Sequence, residues 1–87
     1  MKIKWYENAW DEYQNWQFED KKTLKKINSI IKDIQRNKND GIGKPESLKN
    51  DKKGYWSRRI DDKNRLVYTI ENDTIIIIEC KGHYTDR

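Results

Sequence analysis

Four consecutive isoleucines at positions 75–78 restrict the fold of this chain more than any other feature. The rest of the chain is polar, because 39% of its 87 residues are charged and only 33% are apolar. A run with no polar side predicts a strand that is covered on both faces, and therefore one that lies near the middle of a sheet. The run is also far too short to cross a bilayer.

The residues on either side of this run alternate in character from Gly54 onward. Strands are predicted at residues 55–60, 65–71 and 74–81, with polar turns at 61–64 and 72–73. These strands follow one another directly, which predicts a three-stranded antiparallel meander.

Apolar residues recur at helical spacing in the N-terminal half, after a short alternating strand at residues 2–6 that shows Ile3 and Trp5 to one face. Asn8 resembles a helix cap, and a stripe follows that should face the core: Ala9, Trp10, Tyr13 and Trp16. Asp20 begins a second amphipathic helix, whose apolar face comprises Leu24, Ile27, Ile30, Ile31 and Ile34. This helix should end at the Asn, Asp and Gly residues of positions 37–43.

Pro45 suits the first position of a short helical turn, so Glu46, Leu48 and Lys49 should project from a stiff loop or a single turn. The predicted order is β-α-α-β-β-β. We expect one α/β (α+β) domain over residues 1–87, with two N-terminal helices on one face of a mostly antiparallel sheet and the other face partly open.

The hairpin register predicts where two arginines lie. An even register places Ile60, Leu66, Tyr68 and Ile70 on one face and Arg59 and Arg65 on the other. Burial of the aliphatic set selects this register, so the two guanidinium groups should stand close together on the open face. Like charges side by side destabilise a sheet unless an anion sits between them.

Charge and cysteine content indicate which partners and which cellular compartment suit the chain. A net charge of +4 and a pI near 9.2 favour polyanionic partners such as RNA, although interspersed charge is more typical of a solvated surface. Cys80 is the only cysteine, which excludes an internal disulfide and suits a reducing cytoplasm. Neither a signal peptide nor a membrane span is expected.

Four residues could carry chemistry: Glu46, Arg59, Arg65 and His83. Each also has an ordinary explanation, since Glu46 could complement a helix dipole, the arginines could be solvated or paired, and His83 could be a surface residue. Together they supply the groups that metal-free RNA cleavage requires. That reaction needs a base for the ribose 2′-hydroxyl, cations for the phosphate and an acid for the leaving 5′-oxygen.

Other chemistries fit less well. One His, one Cys and scattered carboxylates show no metal-ligand spacing, so no metal or cofactor is expected. A Ser-His-Asp hydrolase is not supported, because no serine lies in a glycine-framed nucleophile motif. The stretch at 41–44 is too short for a phosphate-binding P-loop.

Several sequence blocks closely resemble the YoeB branch of the RelE superfamily of bacterial toxins. They are Ala9-Trp10-Asp11, Lys26-Ile27-Asn28, Gly43-Lys44-Pro45-Glu46, Trp56-Ser57-Arg58-Arg59-Ile60, Arg65-Leu66-Val67-Tyr68 and His83-Tyr84. The resemblance implies a general base at Glu46, phosphate stabilisation by Arg65 and a general acid at His83. It also implies that Lys49 and Arg59 contact RNA and that Tyr84 packs against or orients the substrate nucleotide.

The same resemblance implies partners and a place of action. It implies cleavage of mRNA in the A site of the 30S subunit, inhibition by a YefM/Axe-type antitoxin and frequent homodimerisation. Relatives often carry His at the position of Asn64 and end near Tyr84, whereas this chain continues to Arg87. Two other functions remain open: a ParE-like toxin that poisons DNA gyrase without cutting RNA, and a noncatalytic RNA-binding module.

Overall fold

The computed structural model describes residues 1–82, so the predictions for His83 and Tyr84 lie outside the described residues. Its helices are α1 (Glu7–Glu19) and α2 (Lys21–Asn37). Its strands are β1 (Lys2–Trp5), β2 (Glu46–Ser47), β3 (Trp56–Arg59), β4 (Arg65–Glu71) and β5 (Thr74–Glu79). A 3-10 turn at Asn50–Lys52 separates β2 from β3.

The five strands form one sheet in the order β1-β5-β4-β3-β2. Of the strand pairs within residues 1–82, only β1–β5 is parallel, so the prediction of a mostly antiparallel sheet is confirmed. The isoleucine run lies in β5, an interior strand. Ile75 and Ile77 are completely buried, whereas Ile76 and Ile78 on the other face are only half-buried. The predicted position is therefore confirmed, but complete cover of both faces is wrong.

The core lies between the sheet and one side of each helix. Asp20 caps α2 as predicted, because its carboxylate accepts hydrogen bonds from the backbone N–H groups of Lys22 and Thr23. The α2 side chains buried in this core are Ile27, Ile30, Ile31 and Ile34. Neither helix of the described residues is long and apolar enough to span a membrane.

Two predictions for α1 are wrong. Asn8 does not cap the helix, which starts at Glu7; its side chain instead donates to the carbonyl of Ile78 at 3.0 Å and ties the first turn to β5. Trp10 is 43% exposed and packs beside Trp5 and Tyr13 at the edge of the core. The α1 residues that are buried are Ala9 and Trp16.

The segment after Pro45 also differs from the prediction, because Glu46 and Ser47 form an edge strand and not a helical turn. The helical turn comes later, at Asn50–Lys52. Pro45 has no N–H to give to a ladder, and an edge position tolerates this loss. Leu48 is buried, and its N–H donates to Tyr55, which holds the edge strand against β3.

Candidate active site

A cleft of about 350 Å³ opens at the edge of the sheet where β2, β3 and β4 meet. Its lining comprises Lys44, Pro45, Glu46, Ser57, Arg59 and Arg65. Three predicted site residues, Glu46, Arg59 and Arg65, therefore share one depression although up to 19 positions separate them in the sequence. Lys49 is exposed and is not among the described residues that line it.

Arg59 and Arg65 are directly opposite each other in the β3–β4 ladder, which confirms the predicted register. Neither backbone N–H serves the other strand: that of Arg59 donates to Gly43, and that of Arg65 donates to Gly82. They therefore form a non-hydrogen-bonded pair, in which opposite Cα atoms approach to about 4.5 Å and side chains are closest. The two arginine side chains consequently start from adjacent positions on the wall of the cleft.

The same two N–H groups attach the segments on either side of the arginine pair. The Arg59 N–H lies 2.7 Å from the Gly43 carbonyl, just before Lys44, Pro45 and Glu46. The Arg65 N–H lies 3.0 Å from the carbonyl of Gly82, the last described residue. The backbone of the arginine pair thus fixes both the entry to β2 and the segment that follows β5.

Arg58 points to the opposite face from Arg59 and is completely buried. Its guanidinium forms an ion pair with Asp33 of α2 and donates to the carbonyl oxygens of Lys38, Asp40 and Ile42. These partners belong to the end of α2 and the loop that leads to the cleft. Arg58 therefore holds that loop from the buried face of β3, while Arg59 contributes to the cleft on the opposite face.

Among the described residues that line the cleft, Lys44, Arg59 and Arg65 are cationic and Glu46 alone carries a carboxylate. Clustered cations in a concave surface attract anions, and the planar guanidinium group suits phosphate oxygens. A carboxylate beside bound phosphate is a suitable proton acceptor. The arrangement can thus hold a phosphodiester next to a carboxylate that could act as a general base.

Sequence reasoning from the residues alone did not assign Lys44 or Ser57 to the site. Ser57 is 2% exposed and lies two positions before Arg59, on the same face of β3. The alternation that placed Arg59 on the cleft face could have identified it as well. Lys44 has positive φ and directly precedes Pro45, and its place in the cleft depends on β2 pairing with β3.

Metal ligands do not cluster in this part of the molecule. Among residues 1–82, no three His, Cys, Asp or Glu side chains come together in a way that could hold a metal ion. The part of the cleft formed by these residues has one carboxylate and three cations. That set of side chains favours an anionic ligand.

The described residues define a small α+β protein with a cleft rich in cationic side chains at one edge of its sheet. Residues 5–84 match the model of the YoeB-like toxins of bacterial type II toxin-antitoxin systems. A YoeB toxin from Synechocystis is 54% identical over 84 residues, which cover 97% of this chain and 98% of the relative. The chain therefore belongs to the family of YoeB-like toxins.

Solved structures agree with this assignment. A YoeB/ParE toxin from Agrobacterium tumefaciens is 42% identical and superposes with a TM-score of 0.94 over 97% of this chain and all of the other. A YoeB from Staphylococcus aureus has been solved in complex with YefM, with 46% identity, a TM-score of 0.90 and coverage of 97% and 98%. It has also been solved as a YoeB dimer, with 47% identity, a TM-score of 0.91 and the same coverage.

Proposed function

We propose that the protein is a ribosome-dependent endoribonuclease that inhibits translation by cutting mRNA in the ribosomal A site. The observation that carries this proposal is the cleft that brings Glu46 together with Arg59 and Arg65. A site for RNA cleavage needs this combination of a base and phosphate-binding cations. A protein that only bound gyrase or RNA would not need a carboxylate beside paired arginines.

The proposed reaction is an in-line displacement. Glu46 takes the proton of the ribose 2′-hydroxyl, the 2′-oxygen bonds to phosphorus, and the bond from phosphorus to the 5′-oxygen breaks. Arg65 stabilises the charge that gathers on the phosphate oxygens, and His83 gives a proton to the leaving 5′-oxygen. The products are a 2′,3′-cyclic phosphate, which water can open to a 3′-phosphate, and a free 5′-hydroxyl.

The remaining predicted site residues have supporting roles in this proposal. Arg59 and Lys49 contact phosphates of the bound RNA, and Tyr84 packs against or orients the nucleotide at the cut. His83 and Tyr84 directly follow Gly82, whose carbonyl accepts a hydrogen bond from the Arg65 N–H. This connection to Arg65 supports the assignment of an acid to the residue that comes next in the chain.

The proposal includes partners. A YefM-type antitoxin would bind and inhibit the toxin, as the solved Staphylococcus aureus complex contains both proteins. Homodimerisation is proposed from the dimer of the same relative. A ribosomal target would put the activity in the cytoplasm.

The test compares Glu46→Gln and His83→Gln with Asp51→Asn, which removes an exposed carboxylate from the neighbouring 3-10 turn. In a translating extract, primer extension should find cuts at fixed codon positions for the wild type and Asp51→Asn and none for the other two. All variants should still bind the antitoxin. Undiminished cuts in both Glu46→Gln and His83→Gln would overturn the catalytic assignment. DNA damage on induction without mRNA cleavage would favour gyrase poisoning instead.

A further inference from the structure

The turn between β3 and β4 forms a hydrogen-bonded link to the segment after β5 through Asn64. The Asn64 side-chain oxygen accepts a hydrogen bond from the Gly82 N–H at 2.8 Å. The carbonyl of Gly82 accepts from the Arg65 N–H at 3.0 Å. Gly82 is therefore held through both its donor and its acceptor by two consecutive residues of the hairpin.

Asp61 fixes the orientation of the Asn64 amide. The amide nitrogen of Asn64 lies 3.2 Å from each carboxylate oxygen of Asp61. Because a carboxylate only accepts hydrogen bonds, it must face the NH₂ group, and this leaves the amide oxygen for the Gly82 N–H. Asp61 is itself fixed by hydrogen bonds from the backbone N–H groups of Lys63 and Asn64, at 2.8 and 2.7 Å.

The charge state of Asp61 suits this role. Partial burial raises the pKa of the Asp61 carboxyl, but the hydrogen bonds from Lys63 and Asn64 outweigh this effect and lower the pKa overall. The carboxylate is therefore ionised at neutral pH and remains an acceptor. The link from Asp61 through Asn64 to Gly82 is complete under the conditions in which a toxin would act.

We infer that Asn64 is a positioning residue that holds Gly82, the residue directly before His83, beside the first residue of β4. The inference rests on the proposed function, in which His83 is the general acid and Arg65 stabilises the phosphate. Asn64 touches neither RNA nor the reacting atoms in this scheme. It acts through Gly82, which directly precedes His83 in the chain.

The link predicts a particular kinetic effect. Without the acceptor at position 64, Gly82 loses the bond from its N–H, and the acid is less well placed for the leaving oxygen. A misplacement of about 1 Å can cost about 100-fold in rate. Asn64→Ala should thus lower kcat about 10- to 100-fold. KM should change less than about twofold, because the cationic cleft that binds the phosphate is intact.

The experiment measures structure and catalysis separately in the full-length protein. Amide hydrogen exchange at Gly82, followed by NMR, reports whether the link exists, and mRNA cleavage on translating ribosomes gives kcat and KM. The variants are Asn64→Ala, Asn64→His and Asp62→Asn, an exposed carboxylate of the same turn. A neutral imidazole can present an acceptor nitrogen near the position of the Asn64 oxygen, so Asn64→His should restore kcat.

The expected result is faster Gly82 exchange and lower kcat in Asn64→Ala, recovery of both in Asn64→His and wild-type behaviour in Asp62→Asn. Unchanged exchange in Asn64→Ala would show that the link does not exist. Unchanged kcat in Asn64→Ala, with His83→Gln inactive, would overturn the positioning role alone. If His83→Gln cleaves normally, the assignment of His83 as general acid is wrong and the positioning role fails with it, while Gly82 exchange still decides whether Asn64 holds Gly82.

Discussion

Asp33 and Arg58 form an ion pair that joins the C-terminal half of α2 to β3, and the Arg58 side chain has no exposed surface. The guanidinium of Arg58 also binds three carbonyl oxygens of residues 38–42 and the hydroxyl of Tyr68. A buried charge is tolerated only when it is paired and its hydrogen bonds are satisfied. This network therefore determines the path of the loop that leads to the cleft.

Arg58→Met should destabilise the protein strongly. The substitution keeps most of the side-chain volume but leaves Asp33 and the three carbonyls without their shared donor. Breaking a buried ion pair costs about 3–5 kcal/mol. Urea unfolding should show this loss for Arg58→Met, while the adjacent exposed Arg59→Met should change the free energy of unfolding by less than about 0.5 kcal/mol. Similar losses for both arginines would contradict the different roles given to the two faces of β3.

Acid should weaken the same network. The hydrogen bond from Arg58 is the largest cause of the lowered pKa of the Asp33 carboxyl, and N–H groups of Ile42 and Asn37 add to it. A carboxyl whose pKa is lower in the folded state contributes stability above its ordinary pKa of 3.8 and loses that contribution as pH falls through its folded value.

The pH dependence can be assigned to Asp33 by comparison with Asp33→Asn. The urea midpoint of the variant should be lower than that of the wild type at pH 7, and the gap should be constant down to about pH 4. Below that pH the gap should narrow as Asp33 is protonated. A gap that stays the same down to pH 2 would show that the charge of Asp33 does not contribute.

The fold was largely predictable because apolar periodicity reports burial directly. The stripe of α2 and the register of Arg59 opposite Arg65 both follow from placing aliphatic residues in the core. Trp10 shows the limit of this rule, because a tryptophan at helical spacing can sit at the edge of the core. Nothing local distinguishes its position from that of Trp16.

The site was less predictable because it depends on contacts between distant segments. Glu46 reaches the cleft through a two-residue strand whose partners, Trp56 and Ser57, lie about ten positions away. Pro45 alone fitted a helical turn equally well. Arg58 and Arg59 differ by one position, and only the fold shows that the first binds loop carbonyls.

Gly43→Ala should affect both stability and cleavage. Gly43 has φ +80°, and an added Cβ would lie 3.1 Å from the Arg59 carbonyl and 3.2 Å from the Arg58 Cβ. Gly54 is the matched control, because its φ of +97° is also positive but a Cβ there would meet nothing within 4 Å. Backbone strain of about 1–2 kcal/mol is expected at both positions.

The two alanine variants should therefore differ by the close contact alone. Gly43→Ala should unfold at lower urea than Gly54→Ala, and only Gly43→Ala should lose cleavage activity, because it displaces the segment before Glu46. Equal effects of the two variants on cleavage would show that the approach of Gly43 to β3 does not position the base.

Cys80 should be unreactive in the folded protein. Burial, followed by the nearby carboxylates of Glu12 and Glu79, raises the pKa of the thiol to about 12. The thiolate is the reactive form, and a rise of the thiol pKa from 9.0 to about 12 reduces the thiolate fraction about 1000-fold at neutral pH. A thiol reagent such as DTNB should label the protein slowly in buffer and rapidly in urea. Equally fast labelling in both would contradict the buried position of Cys80.

The pair formed by Arg59 and Arg65 should lower the stability of the fold and be required for full cleavage activity. Like charges directly opposite each other destabilise a sheet, so Arg59→Gln should leave the free energy of unfolding unchanged or raise it by less than about 0.5 kcal/mol at low salt. Any gain should vanish near 1 M salt, where the screening length is about 3 Å. In cleavage assays Arg59→Gln should raise KM, whereas Arg65→Gln should lower kcat about 100- to 1000-fold, the range for loss of a group that stabilises transition-state charge. A full kcat in Arg65→Gln would mean that the arginine pair binds RNA without taking part in its cleavage.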